Sequence, residues 1–247
     1  MNVMVMKRIK STNAQFLAEL LYFIWLLTII FLAWQNNVLL FFTVLGGVIL
    51  GLLFWHNKED IIFFLVGALI GSLLQVILTG EGIMIYNNPG LLGVPYWVPF
   101  FYGGIMLFAK RFKDSFFELE HWKKHYERPL TIRDFEKQIF PELMYFILLI
   151  LIIKYLSYSN VAAFMFLLII LLLQVTRWHT KEDYIYAVVL FVLGTLIDII
   201  GVNIGIWRWS VSTFFGVPIW VGLSYKYLGL LTRRICVTLN HKLFVKN

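Results

Sequence analysis

The sequence predicts an all-α, polytopic membrane protein of about eight transmembrane helices, arranged as two tandem, parallel four-helix repeats. Three observations predict it. Hydrophobic residues make up 60% of the 247 and charged residues only 14%, more apolar surface than a soluble domain of this length can bury. Apolar runs of about 17–21 residues recur, long enough to cross roughly 30 Å of hydrocarbon at about 1.5 Å per helical residue. Three motifs return at one spacing of 123 residues: Glu19-Leu20-Leu21-Tyr22-Phe23-Ile24 with Glu142-Leu143-Met144-Tyr145-Phe146-Ile147, Trp55-His56-Asn57-Lys58-Glu59-Asp60 with Trp178-His179-Thr180-Lys181-Glu182-Asp183, and Gly93-Val94-Pro95-Tyr96-Trp97-Val98 with Gly216-Val217-Pro218-Ile219-Trp220-Val221. A gapless offset over a whole unit marks a duplication.

The spans are placed at residues 14–34, 38–55, 61–79, 95–109, 141–157, 161–176, 184–202 and 218–231. Around them the chain divides into a cytoplasmic N-terminus (1–13), a first repeat (14–110), a cytoplasmic amphipathic linker (111–140), a second repeat (141–235) and a cytoplasmic C-terminus (236–247). The first apolar run is too long for a signal-peptide core and lacks a small-residue cleavage site, so it reads as a retained helix. Continuous runs such as 146–153 lack the alternation of a barrel strand. With the N-terminus inside, Lys58, Arg177, Lys181, the cations of 110–137, Arg233, Arg234, Lys242 and Lys246 all fall inside, and only Lys154 and Arg208 outside. The positive-inside rule thus places both termini in the cytoplasm, in a bacterial inner membrane. The net charge of +7 follows from that rule and needs no nucleic acid. A single cysteine, Cys236, excludes an intrachain disulfide and a thiolate metal cluster.

In the linker, Phe112, Phe116, Leu119, Trp122 and Tyr126 share one helical face, predicting a helix that lies on the membrane surface and anchors to lipid or docks a partner. Pro129 ends it, Thr131 and Asp134 form a capping-box pattern, and Ile132, Phe135 and Ile139 predict a second short helix. The His56/Glu59/Asp60 and His179/Glu182/Asp183 sets have metal-ligand spacing, but Asn57 and Thr180 with an Asp three residues on read as helix caps, so no metal is assigned. Glu142 follows Pro141 in a first turn, whereas Glu19 lies inside an apolar run, where a carboxylate is costly.

After the third and seventh spans, loops at 80–93 and 203–216 carry glycines and aromatics; Pro95 and Pro218 are expected to open the next helices, and Trp97, Trp207, Trp209 and Trp220 to form an interfacial belt. At matched positions the polar residues differ between halves: Gln75 against Asp198, Gly80 against Asn203, Glu81 against Ile204, Ile85 against Arg208 and Gly103 against Lys226. Such divergence predicts one composite site between the halves. Asp198 and Lys226 fall at similar depth and are expected to pair, since buried charges need partners. Glu81 and Arg208 are expected at its mouth, with Glu81 and Asp198 as candidate acids, Arg208, Lys226, Gln75 and Asn203 as orienting groups and Trp207 and Trp209 as walls.

The stretch from Asp198 through Gly201, Gly205, Trp207 and Trp209 to Gly216-Val217-Pro218 resembles the repeated unit of lycopene cyclase-like and related carotenoid-biosynthesis membrane proteins. The first half echoes it through Gln75, Gly82, Tyr86 and Gly93-Val94-Pro95. The resemblance implies a cofactor-independent enzyme that protonates an isoprenoid polyene in an aromatic-walled cavity to which Tyr86 contributes. The positions after the prolines hold Tyr96-Trp97 and Ile219-Trp220 in place of the expected acidic pair, so the acid would have to be Glu81 or Asp198.

Three readings follow. An enzyme acting on an isoprenoid or other lipid needs an apolar cavity, a small-molecule or lipid transporter needs access from both sides, and a non-catalytic scaffold needs neither. Membrane lipid and a hydrophobic small molecule are the expected partners, and the oligomeric state stays open. The sequence carries no nucleotide-binding loop, histidine box or protease motif.

Overall fold

A computed structural model describes residues 12–54, 56–119, 132–178 and 181–244. They form α1 (Thr12–Ala33), α2 (Asn37–Phe54), α3 (Lys58–Gly80), β1 (Met84–Tyr86), α4 (Val98–Leu119), α5 (Ile132–Leu156), α6 (Asn160–Trp178), α7 (Lys181–Ile204), β2 (Trp207–Trp209) and α8 (Val221–Phe244). The first residues of α2, α3, β1 and α4 return 123 positions later as those of α6, α7, β2 and α8. The backbone repeats with them: φ is positive at Gly82, Leu92 and Gly93 and again at Gly205, Phe215 and Gly216.

Among the described residues, four helices are long and apolar enough to cross a bilayer, over Ala14–Ala33, Lys58–Gly80, Ile139–Leu156 and Asp183–Ile204; α2 and α6 contribute shorter apolar stretches. Their outward faces carry exposed Leu, Ile and Phe, among them Leu21 on α1, Leu69 on α3 and Phe166 on α6. The remaining two helices, α4 and α8, sit at the centre. Residues 101–109 and 220–234 are buried without interruption, so protein surrounds these helices and they need no lipid-compatible surface. That position explains how α8 carries Lys226, Arg233 and Arg234 in its buried stretch.

α4 packs on α1, α2 and α3, and α8 on α5, α6 and α7; the halves meet where α3 touches α8 and α4 touches α7. Glycine sets the closest approach in each half. A Cβ on Gly71 would enter the Tyr102 ring, and one on the matched Gly194 the Tyr225 ring, the small-residue packing that lets membrane helices approach.

Several expectations change. Pro95 and Pro218 lie in the turn before α4 and α8, and the helices begin three residues later, at Val98 and Val221. α4 continues unbroken to Leu119, so the linker begins as an extension of that helix rather than a separate surface helix; α8 likewise runs to Phe244. Pro141 lies inside α5, which begins at Ile132 and absorbs the expected short helix around Ile139. A proline removes one N–H donor, a loss that neighbouring turns and helices tolerate in a membrane bundle. Residues 120–131, with Trp122, Tyr126, Pro129 and Thr131, lie outside the described residues, as do Trp55, His179 and Thr180 and the side chains of Phe116, Leu119, Ile132, Asp134, Phe135 and Glu182.

Candidate functional site

The loop after each of α3 and α7 begins with a glycine in left-handed backbone. Ile83 N–H donates to Leu78 O and Gly82 N–H to Thr79 O, and Ile206 and Gly205 repeat the pattern on Gly201 and Val202; this closes the helix and turns the chain sharply across its end. The turn delivers β1 and β2 to one another as an antiparallel pair with Met84 opposite Trp209, Ile85 opposite Arg208 and Tyr86 opposite Trp207. Ile85 and Arg208 are matched positions of the two halves, so a local two-fold axis runs through that pair. Strand alternation exposes Ile85 and Arg208 and buries Met84, Tyr86, Trp207 and Trp209 over the bundle.

Beneath this ribbon a polar chain crosses from one half to the other. Tyr86 OH donates to Gln75 Oε1 (3.0 Å), Gln75 Nε2 donates to Tyr102 OH (2.5 Å), and the Tyr102 and Tyr225 hydroxyls lie 3.5 Å apart. Tyr102 and Tyr225 are matched positions, and their rings stack across the axis at 6.1 Å. Beyond Tyr225 is Asp198, buried, with the Tyr225 hydroxyl and the Trp207 indole as its polar neighbours. Gln75, Tyr102, Asp198, Trp209, Ser224 and Tyr225 surround a cavity of about 10 Å³, room for about one water.

The structure therefore gathers Gln75, Tyr86, Asp198, Trp207 and Trp209, and disperses the other candidates. Glu81 caps the end of α3 at the surface and pairs with Lys154 of α5 at 2.6 Å. Arg208 points out of the ribbon, and Asn203 is exposed with its amide donating to Ile199 O (2.7 Å). The expected Asp198–Lys226 pair gives way to two separate environments: Asp198 faces the axial cavity, whereas Lys226 lines a crevice on the far side of α8 and has Glu142 as its neighbouring carboxylate. Depth estimates fix height but not azimuth. Tyr225 faces the axis, and the next residue on an α-helix is rotated by about 100°. The tryptophan belt changes too: Trp97 and Trp220 are buried core residues, packed edge-on against Tyr86 (6.4 Å) and Trp209 (5.4 Å).

The opposite end of the bundle, where α3 and α7 begin, holds a feature that residue-by-residue reading did not connect. Asn57 and Asp60 form the expected capping box, and Asp60 also accepts from Lys110 Nζ (2.9 Å) and from Arg111. At the matched positions Asp183 pairs with Arg233 and with Arg234 (2.7 Å). Glu19 is buried against His56 at 2.8 Å. The signal was available: Glu19, His56, Asp60 and Asp183 sit in motifs that recur at the same offset, and Lys110-Arg111 returns there as Arg233-Arg234. Between the halves a cleft of about 350 Å³ opens here, with Lys110, Lys113 and Arg233 facing Glu59 and Asp114. Burial raises the Asp114 carboxyl, but Lys113, Lys110 and Arg111 outweigh it and hold Asp114 below the usual carboxylate range. Between this cleft and the ribbon, the axis is filled by Tyr186 on Met106 (3.4 Å) and by the Tyr102–Tyr225 stack. Among the described residues no three His, Cys, Asp or Glu side chains group as metal ligands.

A second opening lies between α6, α7 and α8: a crevice of about 360 Å³ bordered by Phe164, Leu168, Ala187, Phe191, Leu223 and Lys226, with an entirely apolar accessible wall.

Neither a protein-family model nor a curated protein matches the chain. Among solved structures, a mycobacterial Insig homologue, MvINS from Mycobacterium vanbaalenii, superimposes with a TM-score of 0.58 at 14% identity, covering 74% of this chain and 96% of that one. The fold is similar to that of MvINS. A cross-linked MvINS trimer gives a TM-score of 0.57 at 16% identity over the same shares. At such identity the likeness to MvINS carries the helical membrane architecture and nothing finer. The resemblance to lycopene cyclase-like proteins finds no support in MvINS, and what remains of it is the membrane character.

Proposed function

We propose that this protein is a non-catalytic, lipid-associated membrane protein that works by binding, with both termini in the cytoplasm. The observation that carries the reading is the packed axis between the halves. Asp198, the candidate acid on that axis, faces a space of about 10 Å³, far below the several hundred Å³ of a pocket for a small organic ligand. Glu81, the other candidate, is tied to Lys154 at the surface. An isoprenoid polyene has no room beside Asp198, and the Lys154 ammonium occupies Glu81. Transport is the weaker alternative: α3 and α7 run unbroken, and stacked tyrosines fill the path between the polar cleft and the ribbon. The apolar exterior supports an association with lipid.

A deletion strain complemented with the Glu81→Gln/Asp198→Asn double variant tests the reading. Both changes keep side-chain volume and remove the acids. The expected outcome is growth and membrane-lipid composition indistinguishable from the wild-type rescue. Failure of the double variant to rescue while it accumulates normally in the membrane would establish acid chemistry and overturn the proposal.

A further inference from the structure

The two halves share a backbone but fill one space differently. In the first half, between α2, α3 and α4, the Phe64 ring lies against Gly103, so closely that a Cβ on Gly103 would meet ring carbons 2.6 Å away. Phe41 and Phe100 complete an aromatic wedge, with Phe100 centred 5.5 Å from Phe41 and 6.4 Å from Phe64. At the matched positions of the second half, Phe64 becomes Ala187, Phe100 becomes Leu223 and Gly103 becomes Lys226. Of the wedge only the counterpart of Phe41, Phe164, remains aromatic, and it borders a crevice of about 360 Å³ between α6, α7 and α8.

We propose that this crevice is a binding site for the hydrocarbon chain of a membrane lipid. The volume falls in the range of small-ligand sites, about 300–1,000 Å³. Asp183, Tyr184 and Lys226 border it, yet its accessible wall presents no polar atom, and the carboxylate neighbouring Lys226 is Glu142. A ligand seated here meets apolar surface alone, which selects an acyl or comparable chain and leaves any headgroup outside. The mouth is continuous with the lipid-facing surface: Val188 and Phe191 on its α7 rim are exposed, as are the neighbouring Phe166 and Ile169 of α6. The chain therefore enters sideways from the bilayer. This site lies off the two-fold axis and is independent of the packed centre on which the non-catalytic reading rests.

Full-length protein in nanodiscs containing phosphatidylcholine with a diazirine-labelled palmitoyl chain tests the assignment, with labelled peptides read by mass spectrometry. Labelling is expected on the crevice floor, at Ala187, Leu223 and Leu230, at least about tenfold above the matched Phe64, Phe100 and Leu107 of the first half; tenfold corresponds to about 1.4 kcal/mol of preference. Ala187→Phe, which restores the first-half residue, is expected to abolish floor labelling while labelling of exposed Phe166 persists. Competition by unlabelled palmitic acid distinguishes a free fatty acid from a phospholipid chain as the preferred source. Equal labelling of matched floor positions in the two halves, or label confined to exposed residues, overturns the proposal. The wild-type comparison between halves decides the matter even where Ala187→Phe fails to fold.

Discussion

The crevice lined by Ala187 and Lys226 and the wedge built on Phe64 and Gly103 occupy matched places in the two halves, yet one is open and the other filled. The helices around both begin at the same offset, and the side chains at the matched places differ. A ring on α3 facing a glycine on α4 is replaced by a methyl on α7 and a lysine on α8 that border one crevice. A duplicated scaffold can thus keep the same helix pairings and still turn one of two equivalent spaces into a cavity when side-chain volume is exchanged across a helix pair.

The charged ends test how far the halves are alike. Asp60 and Asp183 each sit between two cations. Removing Asp60 leaves the buried Arg111 and the partly buried Lys110 without it, and removing Asp183 leaves the buried Arg233 and Arg234 without it, so Asp60→Ala and Asp183→Ala are each expected to destabilise by about 3–5 kcal/mol in thermal unfolding of the detergent-solubilised protein. A difference of more than about 2 kcal/mol between them breaks the symmetry of the scaffold. Phe64→Ala approaches the same comparison from the other side. It opens the first-half space, is expected to cost up to about 3–5 kcal/mol, and brings photoreactive-lipid labelling onto Phe100 and Leu107.

At the axis, Tyr225 faces a carboxyl and Tyr102 an amide. Tyr225→Phe is expected to cost about 1–3 kcal/mol and Tyr102→Phe about 0.5–1.5 kcal/mol; the reverse order in unfolding measurements would show that Asp198 draws its polar contacts elsewhere. Glu81→Gln weakens an exposed, solvent-screened ion pair that the second half lacks, and no resolvable change in unfolding is expected. The last difference is pH-dependent and concerns Asp114, whose counterpart is Val237. Its carboxyl is held below the ordinary value, so its contribution is present above the unfolded pKa and fades as pH falls through the lowered folded one. Asp114→Val should flatten that acid limb in a plot of melting temperature against pH.

Much of the fold was legible because each signal was local or periodic. The apolar runs required a bilayer, the offset of 123 required matched halves, and Asn57 with Asp60 announced a cap that the structure contains. The candidate site was legible in part. Divergence at Gln75 and Asp198 led to the axis, where both are buried. Divergence at Glu81 and Lys226 did not, because those side chains leave their helices in other directions, and Arg208 lies over the axis but points out of the ribbon. The pairing of β1 with β2 left no trace a single sequence displays, each strand being three residues long.

By itself, the sequence determined that this chain lives in a membrane as helices and that its second half repeats its first, since hydropathy and spacing are properties of the chain alone. Which charges meet, which tryptophans are buried and which of two equivalent spaces stays open were decided only by the tertiary structure. Rotation about a helix axis moves a side chain from core to lipid without changing its depth or its place in the repeat, and only neighbouring helices fix that angle.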